Sequence, residues 1–186
     1  KCFNTIEGGA VACKSATYAE LLNSYKNFGY HPDEEVQEIG GNAKMNEFQA
    51  AMGLLNLKYF EENIAKRALV AARYRENLSS IDGISFRPIP EGVYQNHAYL
   101  PVTFDPAIFG ATRDAVNDTL KTYGIFARKY FYPLTSESAC YRGRFFPEET
   151  PVALRASRNV LTLPIYPDLA LSDVDDICEI VASCKQ

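Results

Sequence analysis

The sequence predicts an α/β chain made of the end of one domain, a long connecting helix and a second, smaller α/β domain. Three observations carry this expectation. Apolar residues recur at spacings of three and four in several stretches, the mark of helices with one buried face. One such pattern runs from Asn46 to about Leu78 and links the two ends of the chain. Beyond Gly83 the character changes to short alternating units, as in a small α/β domain. The division expected is residues 1–75 and residues 76–186. With 186 residues, 47% of them hydrophobic, the chain can build one good core or two small ones.

In order, Ala10 to Cys13 reads as a short strand. Thr17 to Phe28 carries Leu21, Leu22, Tyr25 and Phe28 at helical spacing and is stopped by Gly29, which predicts an amphipathic helix with a buried face. Gly29 to Lys44 is polar, holds Pro32, Gly40 and Gly41, and has neither period; long loops of this kind inside domains are functional or disordered. Asn46 and Gln49 have the form of a capping box, and Phe48, Met52, Leu55 and Tyr59 follow at helical spacing. Ile64, Ala68 and Ala71 continue the pattern, and Lys66, Arg67, Arg73 and Arg75 among alanines predict a largely exposed second half.

His97 to Phe104 reads as a strand, with Pro101 pointing to an edge or a bulge. Thr112 to Tyr123 is a helix closed by Gly124, and Ile125-Phe126-Ala127 a further strand. Tyr130 to Leu134 is a partly exposed aromatic loop, and Pro151 to Val160 a helix that leads to Leu163-Pro164-Ile165-Tyr166-Pro167. Ser172 with Asp175 resembles a capping box for a last amphipathic helix through Val174, Ile177, Cys178 and Val181.

The composition excludes several function classes. The formal net charge of -4 is spread without runs, so no footprint for nucleic acid or an anionic membrane is present. The five cysteines form no C-x-x-C pair and the two histidines are far apart, so no metal site is expected and the thiols read as reduced. No run is long and apolar enough to span a bilayer and no signal-peptide pattern opens the chain, which predicts a soluble, cytoplasmic protein. The chain opens on a loop and not on a methionine, which suggests a preceding part.

Candidate chemistry gathers in a few places. Lys1 brings a primary amine to a glycine-bordered loop, though most lysines are solvated surface charges. Gly8-Gly9 lacks the spacing of a phosphate loop and reads as a turn. Gly40-Gly41-Asn42-Ala43-Lys44 puts flexible backbone, an amide and an ammonium just before a helix N-terminus, which suits an anion; the same residues also serve as an ordinary loop. Arg128, Lys129, Tyr130 and Tyr132, with Tyr141-Arg142-Gly143-Arg144, combine cations and rings able to hold phosphates and stack on a base, or to line a plain surface. His97 reads as a structural histidine.

Five ordered blocks carry a resemblance: Lys1-x-Phe3-Asn4-Thr5-x-Glu7-Gly8-Gly9-Ala10, Asn27-Phe28-Gly29, Gly41-Asn42-x-Lys44-Met45-x-Glu47-x-Gln49-Ala50-Ala51, Arg128-x-Tyr130-x-Tyr132-Pro133-Leu134 and Leu163-Pro164-Ile165-Tyr166. They resemble the nucleotide-sugar aminotransferases of the DegT/StrS type, which use pyridoxal 5'-phosphate (PLP) and have fold type I. The wording of the first block is similar to the subgroup that aminates dTDP-linked 4-keto-6-deoxy sugars.

The resemblance implies the C-terminal part of a fold type I PLP-dependent transferase, the end of the large domain plus the small one. It implies ping-pong transfer of an amino group from an amino acid, glutamate being expected, to a keto-deoxy nucleotide sugar through a Lys1 Schiff base. It also implies that Asn42 reaches the PLP phosphate of the neighbouring subunit in a homodimer with shared active sites. Lys44 would lie near that phosphate or the sugar nucleotide, and Arg128, Tyr130 and Tyr132 near the sugar nucleotide. The family's other cofactor ligands precede the lysine, so the chain alone is expected to be inactive. A 3-keto sugar aminotransferase and a non-catalytic dimerisation or regulatory module are the alternatives; the latter leaves Lys1 and the Asn42 loop unexplained. Sugar-deoxygenating relatives carry histidine at the lysine position, which Lys1 disfavours.

Overall fold

The computed structural model describes residues 2–32 and 35–186; Lys1, Asp33 and Glu34 lie outside the described residues. Two compact units are present, Phe3–Glu61 and Glu62–Gln186.

In the first unit, α1 (Ala16–Lys26) starts where the Ser15 hydroxyl accepts the Tyr18 N–H at 3.4 Å, and it stops at Asn27. A second helix, α2 (Glu47–Lys58), opens with the expected capping box: Asn46 Oδ1 accepts from the Gln49 N–H at 2.9 Å and Gln49 Oε1 accepts from the Asn46 N–H at 3.0 Å. Tyr59 breaks the long helical pattern, and α3 (Phe60–Leu78) follows. Two expectations fail here. Ala10 to Cys13 is irregular, with Val11 74% exposed, because a strand needs a ladder partner and none of the described residues supplies one. The apolar faces are also uncovered: Leu22, Tyr25 and Phe28 of the first, and Phe48, Met52, Leu55 and Tyr59 of the second, are exposed. Helical spacing shows that a face is apolar, not what covers it.

The second unit is built on an antiparallel sheet of β1 (Ile84–Phe86), β2 (Leu100–Phe104) and β3 (Val160–Leu163) in that order. Also present are the short α4 (Pro106–Phe109), α5 (Arg113–Thr122, capped by Thr112), α6 (Pro151–Asn159) and α7 (Leu171–Ser183). Val102, Phe104, Leu161 and Leu163 of the sheet meet Val70, Tyr74 and Leu78 of α3, Val116 and Leu120 of α5, and Val174, Ile177 and Val181 of α7 in one core.

Four corrections belong to this unit. The second half of the expected long helix, α3, is not an exposed connector, because Ile64, Arg67, Val70, Ala71, Tyr74 and Leu78 are buried among its charges. Pro101 lies in the central strand. It is tolerated because Thr162, its partner, turns its own N–H and C=O outward to Arg128 (2.7 and 3.0 Å). Pro101 therefore faces its missing donor towards β1, which ends opposite Val102. Ile125 to Ala127 is not a strand; only Arg128 bridges to β3. Ala170, not Ser172, is the N-cap of α7, and Asp175 is drawn instead into a bidentate pair with Arg73 (2.7 and 2.8 Å).

Candidate functional site

The loop between α1 and α2 is folded by glycine. A Cβ on Gly29, whose φ is +83°, would lie 1.8 Å from the Glu38 carbonyl oxygen, and one on Gly40 would lie 2.3 Å from the Gly29 nitrogen. Two passes of backbone touch there, and the returning chain runs along the end of α1. Gly41 N–H donates to Tyr25 O (2.9 Å), Phe28 N–H to Gly41 O (3.0 Å) and Ala43 N–H to Lys26 O (2.9 Å). Glu38 locks the loop from inside, accepting from Ser24 Oγ at 2.8 Å and lying 2.6 Å from His31 Nε2. The Ser24 hydrogen bond and then the His31 bond hold its carboxyl below the usual range.

This pairing brings Asn42 beside Asn27 and sets Lys44 over Phe28. Lys44 Nζ donates to Asn27 Oδ1 at 2.8 Å and stands 4.4 Å from the Phe28 ring centroid. Asn42 is exposed in a cleft of about 860 Å³ whose walls include Gly9, Val11, Tyr25, Lys26 and Gly41. The capping box takes up the Asn46 and Gln49 N–H groups at the N-terminus of α2, and the side chains of this stretch that could meet an anion are those of Asn42 and Lys44.

Lys1 lies outside the described residues, but the segment after it is held on α2 and the first residue of α3. Phe3 meets Phe60 edge-on at 6.5 Å, and Asn56 Nδ2 donates to Asn4 O at 2.7 Å. Thr5 is buried so closely that a Cβ on Gly53 would lie 2.8 Å from its methyl and one on Gly8 2.3 Å from its hydroxyl. These seats for Phe3, Asn4 and Thr5 were not derivable from the chain order, although a glycine in mid-helix is itself a signal of close approach.

In the second unit, Arg128, Tyr130 and Tyr132 lie on one surface segment. Arg128 Nη1 donates to the Tyr130 hydroxyl and its guanidinium stands 5.6 Å from that ring; Tyr130 also meets Tyr99 edge-on at 5.2 Å. Tyr132 lies 5.1 Å from the Arg113 guanidinium and 5.7 Å from Lys129 Nζ. Asp114 pairs with both cations, and the Lys129 hydrogen bond chiefly holds its carboxyl below the usual range. Nothing in the sequence linked Arg113 to this segment. His97 is half-buried; burial and then the Arg75 charge lower its pKa, and its carbonyl accepts from Arg67. Among the described residues no group of acidic, histidine and cysteine side chains could hold a metal ion, and no helix is long and apolar enough to cross a membrane.

Residues 1–182 match the pattern of the DegT/DnrJ/EryC1/StrS aminotransferase family. The chain belongs to this family. Among relatives of this DegT/DnrJ/EryC1/StrS member, a dTDP-4-amino-4,6-dideoxy-D-glucose transaminase of Escherichia coli is 38% identical over 165 residues, 88% of this chain and 44% of the relative. One of that name from Shigella dysenteriae is 35% identical over 184 residues, 98% of this chain and 48% of the relative. The crystal structure of DesI, determined in the presence of its TDP-sugar product, superposes with a TM-score of 0.86 at 33% identity over 99% of this chain and 47% of that one. The fold is thus part of the sugar-aminotransferase fold, and the chain spans less than half the length of these relatives.

Proposed function

We propose that this chain is the C-terminal part of a PLP-dependent aminotransferase that moves an amino group from an amino acid, glutamate being expected, to a dTDP-linked 4-keto-6-deoxy sugar. The observation that carries this reading is the meeting in one cleft of three separated stretches of the first unit: Gly9 to Val11, Tyr25 and Lys26, and Gly41 to Ala43. Each adjoins or belongs to a block of the family resemblance. The substrate follows the dTDP-sugar transaminases to which the chain is similar.

The residues present suit a phosphate-bearing cofactor, since an exposed amide at Asn42 and an ammonium at Lys44 stand on one loop that the Asn27 bond and the Phe28 ring keep in place. PLP, when bound, supplies the electron sink that stabilises a carbanion at the amino-bearing carbon. Lys1 would hold the cofactor and carry a proton at Nζ. That role needs a neutral amine, and exclusion of water lowers a lysine pKa towards it. Asn42 would donate to a phosphate oxygen of the cofactor in the neighbouring subunit, with Lys44 close to that phosphate or the sugar nucleotide. Arg128 would bind the sugar nucleotide through its charge, Tyr130 and Tyr132 through their rings and hydroxyls.

A homodimer with shared sites belongs to the same reading, and the uncovered apolar face of α2 supports it: Phe48 is 83% exposed and Leu55 52%. The division of labour expected is cofactor binding in residues 1–75 and a small domain in residues 76–186; along the chain, the boundary between the compact units falls between Glu61 and Glu62, within the first turn of α3.

The test is spectroscopic and kinetic on the full-length protein loaded with PLP. Wild type is expected to show a visible band of protein-bound cofactor, to lose it on addition of glutamate and to regain it with a 4-keto nucleotide sugar. Lys1→Ala is expected to lack the band of covalently held PLP and to lose activity by 10³-fold or more, on the order of a catalytic covalent residue's contribution. A band that persists unchanged in Lys1→Ala overturns the role of Lys1. Turnover with 3-keto but not 4-keto sugars overturns the substrate, and no PLP binding at all points to a non-catalytic module.

A further inference from the structure

We propose that Arg113 is a positioning residue for the nucleotide sugar: it grips α5, β3 and the Tyr132 ring together and so fixes the Arg128–Tyr132 segment in its binding shape. The inference rests on the reading above that this segment meets the sugar nucleotide.

The side chain of Arg113 is only 1% exposed. A guanidinium is buried at a heavy desolvation penalty unless its donors are engaged, and here they are spread over separate elements. Nε donates to Asp114 Oδ1 at 2.8 Å, and Nη1 donates to the carbonyl of Val160, the first residue of β3, at 2.7 Å. The planar group itself stands 5.1 Å from the centroid of Tyr132. Lys129 closes the arrangement, pairing with the same oxygen of Asp114 and standing 5.7 Å from the Tyr132 ring. Two cations tied to one carboxylate therefore face one aromatic ring.

A role confined to joining α5 and β3 would need only the bond to Val160. The contact with Tyr132 reaches a different stretch, whose other end is already fixed because Arg128 exchanges backbone hydrogen bonds with Thr162 of β3 at 3.0 and 2.7 Å. The segment is thus pinned to β3 at Arg128 and to the Arg113 group at Tyr132, yet Phe131 and Tyr132 stay 76% and 47% exposed. A surface segment ordered in advance loses less conformational freedom when it binds, which favours affinity without new contacts to the ligand. Lysine cannot replace arginine here, since a single ammonium lacks the fork that serves Asp114 and Val160 and the plane that meets the ring.

Ping-pong transfer allows the two half-reactions of the full-length, PLP-loaded enzyme to be measured apart. Arg113→Met is expected to raise the half-saturating concentration of the keto nucleotide sugar about tenfold, the loss of a hydrogen-bonded charged contact's worth of ordering, while the half-reaction with glutamate stays within about twofold. Arg113→Lys is expected to fail to restore sugar binding. Lys129→Met, at a partly exposed position, is expected to shift sugar half-saturation about threefold in the same direction and serves as the test if Arg113→Met does not fold. A folded Arg113→Met with unchanged sugar half-saturation overturns the proposal, as does an equal fall in both half-reactions, which marks a general structural role. If Arg113→Met does not fold, an unchanged Lys129→Met overturns it. Wild-type enzyme that runs neither half-reaction overturns the functional reading and this proposal with it.

Discussion

A side chain at Gly29 has nowhere to go. Its φ of +83° is already unfavourable for any residue with a Cβ, and that atom would sit 1.8 Å from a backbone carbonyl which cannot swing aside as a side chain can. Gly29→Ala is therefore expected to destabilise the first unit by about 2 kcal/mol or more, the sum of left-handed strain and a forced shift of the loop. Gly41→Ala, where a Cβ would meet nothing within 4 Å, is expected to change stability by less than about 1 kcal/mol. Denaturant unfolding of the three proteins checks this, and equal midpoints for the two variants would contradict it. The same loop shows what single residues reveal before folding. The glycines and the Asn42–Lys44 pair stood out as types; that Lys44 would be tied to Asn27, and Glu38 to Ser24 and His31, depended on a chain reversal which no spacing records.

Elements were legible where local chemistry alone decides them. Asn46 with Gln49, and Thr112 with Gly124, are signals satisfied within a few residues; the second pair bounds its helix as read and the first starts its helix as read, although that helix ends at Tyr59. Reading failed where a distant partner decides. Ser172 and Asp175 have the letters of a capping box, but Asp175 is taken by Arg73 and by Asn77 Nδ2 at 2.6 Å, which ties α7 to α3. The strand β3 follows α6 without a break, and only its pairing with β2 distinguishes it. The Asp175 tie has a pH signature. The Arg73 hydrogen bonds, and then that of Asn77, hold its carboxyl below the usual range, so its folded pKa is lower than its unfolded value of about 4. Its contribution to stability is then fully present above pH about 4 and is lost as the pH falls through the lower, folded value. The melting-temperature gap between wild type and Asp175→Asn is expected to be constant from pH 7 to about 5 and to close on further acidification. A gap unchanged down to pH 2 would show that Asp175 acts only through its shape.

The molecule as a whole has one core in its second unit, while the first unit leaves large apolar side chains on α2 open. Sequence periodicity located that face correctly as apolar and could not say what covers it. The dimer reading gives the cover and a magnitude. Burying a phenylalanine stabilises by about 1.5–3 kcal/mol, and a two-fold interface uses each residue twice, so Phe48 at such an interface is worth about 3–6 kcal/mol to the dimer. At 1.4 kcal/mol per factor of ten, Phe48→Lys in the full-length protein is expected to weaken dimerisation by about 10²–10⁴-fold, with added loss from two lysines facing an apolar surface. Sedimentation over a dilution series reads this directly as a shift from dimer to monomer. A far-UV circular dichroism spectrum that stays native while the dimer is lost assigns the effect to association. If the dilution series of Phe48→Lys overlays that of wild type, Phe48 is not at the two-fold contact, and the exposed face of α2 no longer supports the dimer. Because Asn42 is expected to serve the neighbouring subunit's cofactor, the same dilution that separates the wild-type subunits should also lower its specific activity, at the concentration where the dimer dissociates.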